Sequence, residues 1–157
     1  MVNGTHASQE LPAPFETATV RDVMSPGVIS CPPETPLRVV ARMMATFSVH
    51  SVFVFEHQDE DDETPQLWAI VSDLDLVAAS RLDLDSRTAG KSAVTPIVSV
   101  RSDRPLFEAA ELMAQHGVAH LAVVDPLSRR PIGVISTLDL ARSIAAGHGA
   151  RETQASA

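Results

Sequence analysis

The sequence predicts a mixed α/β (α+β) fold in which one β-α-β-β-α unit is used twice. Three observations carry this. Residues 133–140 read GVISTLDL, and residues 69–76 read AIVSDLDL, 64 positions earlier. Upstream, Pro105, Leu106, Ala110, Met113, Ala114, Val118 and Val123 repeat Pro36, Leu37, Ala41, Met44, Ala45, Val49 and Val54 at an offset of 69. The two offsets differ by an acidic stretch near 57–64 that only the first copy carries. Third, helix-like and strand-like apolar spacing alternate in the same order in both copies. A unit occurring twice is a duplicated domain, because a solenoid needs three or more stacked repeats. A unit of about sixty residues is marginal in core size, so the two copies are expected to pack into one body.

Element by element, residues 1–17 mix Pro12 and Pro14 with small polar residues and predict a flexible arm. The first copy then spans 18–81. Val20 to Met24 makes a short helical turn, stopped at Ser25-Pro26 because a residue before proline avoids the helical region. Val28-Ile29-Ser30 is a brief β-branched stretch. Pro36 opens a helix whose Leu37, Val40, Ala41, Met44 and Phe47 share one face. Val52 to Phe55 and Leu67 to Val71 are strands joined by the acidic loop from His57 to Thr64, and Ser72 starts another helix. Residues 82–93 read as a linker. The second copy, 94–146, repeats the order: Ile97-Val98-Ser99, a helix striped by Leu106, Ala109, Ala110 and Met113 and stopped at Gly117, then strands Leu121 to Val124 and Ile132 to Ile135. Residues 147–157 are small and polar and predict a frayed tail.

Composition narrows the function classes. Apolar residues make up 45% of 157, enough for a packed core. Twelve basic against 20 acidic residues give a net charge of −8, which disfavours nucleic-acid phosphates as partners. The sole cysteine, Cys31, has no intramolecular partner, which fits a reducing cytoplasm. There is no run of eighteen apolar residues and no signal segment, so no membrane role is expected. No Cys, His or Asp set has ligand spacing, and no metal is expected. The run Asp59 to Glu63 lacks the glycine and alternation of a calcium loop.

A small-apolar-apolar-Ser/Thr-x-x-Asp-apolar pattern after a hairpin, with Val-Met-x-Pro some 45 residues earlier, resembles the cystathionine-β-synthase-type (CBS) domain. Two in register resemble a tandem pair, or Bateman module, here free-standing and covering about residues 18 to 146. The resemblance implies two pseudo-twofold-related units packed through their sheets, with two clefts between them. It further implies adenosine-containing ligands such as AMP, ADP, ATP or S-adenosylmethionine, and association into a disc-like homodimer.

Within that resemblance each motif residue receives an expected role. A carboxylate offers acceptors only, so Asp139 can take two hydrogen bonds from the cis-hydroxyls of a ribose. Ser136 and Thr137 lie where strand becomes helix, where N–H groups and the helix dipole favour a phosphate. Gly133 is small enough for a flat base to approach the strand. The adenine would be held by Ile97 and Val98, or by Val28 and Ile29. The position that in the family often carries a phosphate-binding base is occupied by His50 in one copy and lies next to His120 in the other, giving groups mostly neutral at pH 7. Ser72 and Asp75 are the first copy's counterparts, but Ala69 replaces glycine, and Asp73 places a carboxylate where a phosphate would lie. That first site is expected to be empty or to accept a nucleoside with little phosphate charge. The same Ser-x-x-Asp spacing also describes a structural helix cap.

The sequence therefore predicts a non-catalytic sensor of an adenosine derivative, with no catalytic cofactor, acting on a separate and unidentified protein. A ligand-free dimerisation or protein-interaction module is the alternative. A hydrolase or transferase has little support, since no nucleophile and base are suitably spaced.

Overall fold

The computed structural model describes residues 14–56 and 66–154, with the side chains of 148–154 left aside. The acidic loop, most of the N-terminal arm and the last three residues lie outside the described residues. In chain order the elements are α1 (Val20–Val23), β1 (Ser25–Pro26), β2 (Ser30–Cys31), α2 (Leu37–Phe47), β3 (Ser51–Glu56), β4 (Gln66–Ser72), α3 (Asp73–Ala79), α4 (Ala89–Ser92), β5 (Ser99–Arg101), α5 (Leu106–His116), β6 (His120–Val124), β7 (Pro131–Ser136) and α6 (Thr137–Gln154).

Each half is a small sheet with its own core. β2-β3-β4 form one sheet and β1-β7-β6-β5 the other, with β2 and β5 parallel to the middle strands β3 and β6, and both hairpins antiparallel. Leu37, Val40 and Met44 of α2 face one sheet; Leu106, Ala109 and Met113 of α5 face the other. The two 11-residue helices end alike, in left-handed residues: Gly117 at φ 63° and its repeat partner Ser48 at φ 53°. Between the sheets lies a third cluster, Phe53 and Ile70 from one half with Ala122 and Val134 from the other. The halves thus pack through their sheets.

The leading segment of each half belongs to the core of the other. Ala18 and Val20 are buried among Val100, Leu106 and Leu121, whereas Ala89 is buried with Leu37, Val40 and Val54. Thr19 bridges to Pro105 and Thr88 to Pro36, and these pairs are related by the 69-residue repeat. β1 pairs with β7 in register Ser25↔Val134, and Thr95 bridges to Ile70 at the matching edge. Fully burying one valine such as Val20 stabilises by roughly 1.5–3 kcal/mol, so each crossing segment ties the halves together.

Three differences from the sequence expectation follow from this exchange. The linker contains α4, whose Ala-Gly-Lys-Ser composition has no helical pattern; burial of Ala89 against the first core holds it in place. The opening strands start two residues late. Gly27 at φ 82° turns the chain out of β1, and Val28 and Ile29 then cross from one sheet to the other before β2 begins. Finally, α6 continues to Gln154, into the expected frayed tail, and Phe15 at the start of the described chain packs on the second core and donates its N–H to the Ser143 carbonyl at 3.3 Å.

Candidate functional site

Two adjoining hollows between the halves form the candidate cleft. One, about 320 Å³, is lined by Gly27, Val28, Ile29, Phe47 and Phe53 and is mainly apolar. The other, about 200 Å³, is lined by Ser48, His50, His120, Ser136, Asp139 and Arg142. They share Ser25, Val49, Ser51 and Val134. An apolar hollow opening onto a few convergent polar groups is the general form of a small-molecule site. The sequence left open which apolar pair accompanies Asp139; the structure brings Val28 and Ile29 to its side, while Val98 is buried in the second core and Ile97 is exposed outside this cleft.

Asp139 is positioned by a hydrogen-bonded cap. Its Oδ2 accepts the Ser136 N–H at 2.8 Å and the Ser136 hydroxyl at 2.9 Å, and its own N–H donates to Ser136 Oγ at 3.3 Å. Both side-chain bonds fall on one oxygen. Among the described residues Oδ1 receives none, and the half-buried carboxylate lines the cleft. Cap and ligand contact are therefore compatible: one oxygen fixes the side chain, and the other is left to accept.

A pseudo-equivalent hollow of about 250 Å³ lies on the other side of the repeat axis, lined by Ser72, Asp73, Asp75, Thr95, Pro96 and His120 among others. There Asp75 is only 5% exposed and more tightly held. Its Oδ2 accepts the Ser72 N–H at 2.8 Å and the Thr95 hydroxyl at 2.9 Å, and Ser72 Oγ lies 3.1 Å from the Thr95 hydroxyl. Thr95 occupies the edge position that Ser25 occupies in the first cleft, but only Thr95 reaches a carboxylate. Asp75 thus ties α3 to the crossing segment.

The two clefts meet at a pair of histidines. His50 and His120 stack with ring centroids 6.1 Å apart and planes inclined by 23°. His120 is 9% exposed and lines both clefts. Burial holds its pKa below the ordinary imidazole range, and neighbouring His50 lowers it further against the opposing pull of Asp73 and Asp139. His50 Nδ1 lies 3.0 Å from Asp73 Oδ2, so the carboxylate in the second cleft is engaged by the imidazole of the first.

Two sequence expectations are corrected here. The space left by the missing side chain of Gly133 is taken by protein rather than left for a flat base. Gly133 is buried, and a Cβ there would lie 2.5 Å from the Ser25 carbonyl oxygen, so the glycine makes room for β1. The helix start of α6 does not present open donors at Ser136 and Thr137 either. Asp139 takes the Ser136 N–H, the Ala119 carbonyl takes the Thr137 N–H at 3.0 Å, and Thr137 borders the hollow between α5 and α6 instead. Conversely, Arg142 and Ser25 line the cleft without a role expected from the sequence, and Phe47, placed by its spacing on the apolar face of α2, is exposed and lines the cleft instead of the core. Arg142 was recoverable, standing three residues after Asp139 on one helix face.

A larger hollow of about 570 Å³, lined by Ser30, Cys31, Glu34 and Glu56 among others, brings no cation among the described residues. Among the described residues no three His, Cys, Asp or Glu side chains converge as a metal site, and no helix is long and apolar enough to cross a membrane.

Comparison with known proteins places the fold. Hypoxic response protein 1 of Mycobacterium tuberculosis is 27% identical over 129 residues, covering 80% of this chain and 85% of that protein. Its crystal structure with two coordinated zinc ions superposes with a TM-score of 0.59 at 26% identity, over 80% of this chain and 98% of that one. The CBS domain protein PAE2072 from Pyrobaculum aerophilum, solved with AMP, matches at 30% identity and a TM-score of 0.67, over 82% of this chain and 95% of that one. The CBS domain pair of MJ0100, solved with 5′-methylthioadenosine and S-adenosyl-L-methionine, has a TM-score of 0.69 at 19% identity, over 82% and 96%, and shares the fold. The sequence model of the CBS domain matches residues 20–82 and again 92–146. With both repeats matched in tandem and two sheets exchanging their leading segments, this chain belongs to the CBS domain family as a tandem CBS pair.

Proposed function

We propose that this protein is a non-catalytic regulatory module that binds an adenosine-containing ligand, one per chain, in the cleft at Asp139. The observation that carries the reading is the half-buried Asp139 carboxylate. One of its oxygens is fixed by Ser136 and the other is open, at the point where an apolar hollow meets a polar one. A base fits the Val28, Ile29 and Phe53 side, and a ribose diol donates to Asp139. The AMP bound by PAE2072, a relative at 30% identity, supports adenosine as the ligand class. The tight hold on Asp75 by Thr95 supports occupancy of a single cleft. Regulation would follow from the ligand bridging both halves and favouring one orientation by its differential affinity.

Calorimetric titration with AMP, ADP, ATP, S-adenosylmethionine and NAD tests the reading. We expect heat from at least one adenosine compound, saturating at one per chain. Silence from all five would leave only the interaction-module alternative.

A second copy of the chain is the proposed partner for the outer helical faces, where Leu74 and Val77 of α3 and Leu138 and Ile144 of α6 are half or more exposed. Light scattering should then give twice the 16.8 kDa chain mass. A monomer at micromolar concentration would remove the homodimer from the proposal.

A further inference from the structure

Among the described residues the cleft holds one permanent cation, and its placement bears on which adenosine derivative fits. Arg142 lies on α6 three residues beyond Asp139, about 4.5 Å further along the helix axis, and lines the same hollow. Arg21, Arg38, Arg101 and Arg104 are engaged elsewhere, with Ser102, Asp85, Asp103 and Glu108, and among the described arginines left without such a partner Arg142 is the one that lines this cleft. Arg142 makes no hydrogen bond or ion pair among the described residues, and none joins it to Asp139. The other basic groups of the cleft are already committed. His50 is paired with Asp73, and burial holds His120 toward its neutral form.

Resting on the adenosine reading, we infer that Arg142 makes the Asp139 cleft select an adenosine with an anionic 5′ substituent over one with a sulfonium cation. With the base in the apolar hollow and the diol on Asp139, the 5′ group extends into the hollow lined by Ser48, His50, His120 and Arg142. There a guanidinium meets a phosphate with paired, charge-assisted hydrogen bonds. It repels the positive sulfur of S-adenosylmethionine and is indifferent to the neutral thioether of 5′-methylthioadenosine. Among the described residues Asp139 is the carboxylate that lines this hollow, and Asp73 reaches its His50 from the adjoining cleft. Neither makes an ion pair with Arg142 among the described residues: Asp139 would spend its open oxygen on the diol and Asp73 faces His50, which leaves the guanidinium's donors for a phosphate.

The test titrates wild-type protein, Arg142→Gln and Arg142→Glu by calorimetry with AMP, 5′-methylthioadenosine and S-adenosylmethionine. Wild-type protein should bind AMP about tenfold or more tighter than the thioether, and S-adenosylmethionine weakest. Arg142→Gln should lose about tenfold for AMP while leaving the thioether unchanged, and Arg142→Glu should place S-adenosylmethionine ahead of AMP. Equal AMP affinity in wild type and Arg142→Gln would overturn the inference while the adenosine reading stood. So would a parallel loss of AMP and thioether, which marks a structural defect, or a wild-type preference for S-adenosylmethionine. If wild-type protein binds none of the three and is also silent to ADP, ATP and NAD, the adenosine reading itself fails, and the inference with it.

Discussion

Asp139→Ala is expected to weaken nucleotide binding at least a hundredfold while leaving a folded protein. A hydrogen bond to a charged group contributes about 1.5–3 kcal/mol, and a ribose diol offers two hydroxyls to the carboxylate. Losing both removes roughly 3 kcal/mol or more, beyond the two decades set by 1.4 kcal/mol per decade. A ligand at about 100 times its dissociation constant stabilises wild-type protein by ~2.7 kcal/mol, a shift of several degrees at this size. That shift should vanish in the variant. Structural damage should be smaller: the Ser136 N–H and hydroxyl lose their acceptor at a half-exposed cap, worth about 1 kcal/mol. Asp139→Asn separates the two effects, since one carbonyl oxygen can still accept from Ser136 while the charge is gone. An undiminished thermal shift in Asp139→Ala would exclude this carboxylate as the sugar contact.

What the sequence disclosed and what it withheld divide along a physical line. Periodicity and the twofold repeat are local signals, so both hairpins, the Leu106 and Leu37 stripes and the Ser-x-x-Asp starts were readable. Which half each leading segment joins is a long-range choice that no local pattern encodes. Val20 and Ala89 look alike from either neighbour, and only the packed cores show that each crosses over. The same crossing decides that Val28 and Ile29, rather than Ile97 and Val98, share a cleft with Asp139. Gly133 was legible as a position where space matters, but not as space taken by the Ser25 carbonyl. Open N–H groups at the helix starts were a fair general expectation, yet the capping aspartates and the Ala119 carbonyl use them. Arg142 went unremarked because a lone arginine on a helix surface ordinarily reads as solubility.

The repeat also invited the view that Asp75 and Asp139 do the same work to different degrees, with Asp75 the less important. The structure reverses that for stability. Asp75 is 5% exposed and Ser72 4%, and Asp75 Oδ2 satisfies both the Ser72 N–H and the Thr95 hydroxyl. Truncation to alanine leaves the buried Ser72 N–H without its acceptor and the Thr95 hydroxyl with only Ser72 Oγ to bond, at about 1–3 kcal/mol for a buried group left unpaired. It also releases α3 from the segment that crosses between the halves, whose Thr95 end would then keep the Ile70↔Thr95 bridge but lose its tie to the helix. Asp75→Ala should therefore lower the melting temperature by roughly 6–12 °C, from about 3 kcal/mol at 2–4 °C per kcal/mol for a chain of this size. Thr95→Val, which removes one donor and keeps the volume, should lower it by only a few degrees. In both variants the folded fraction should bind ligand at Asp139 with unchanged affinity and stoichiometry. An Asp75→Ala protein that melts like wild type and loses half of its bound ligand would instead make Asp75 a second sugar contact.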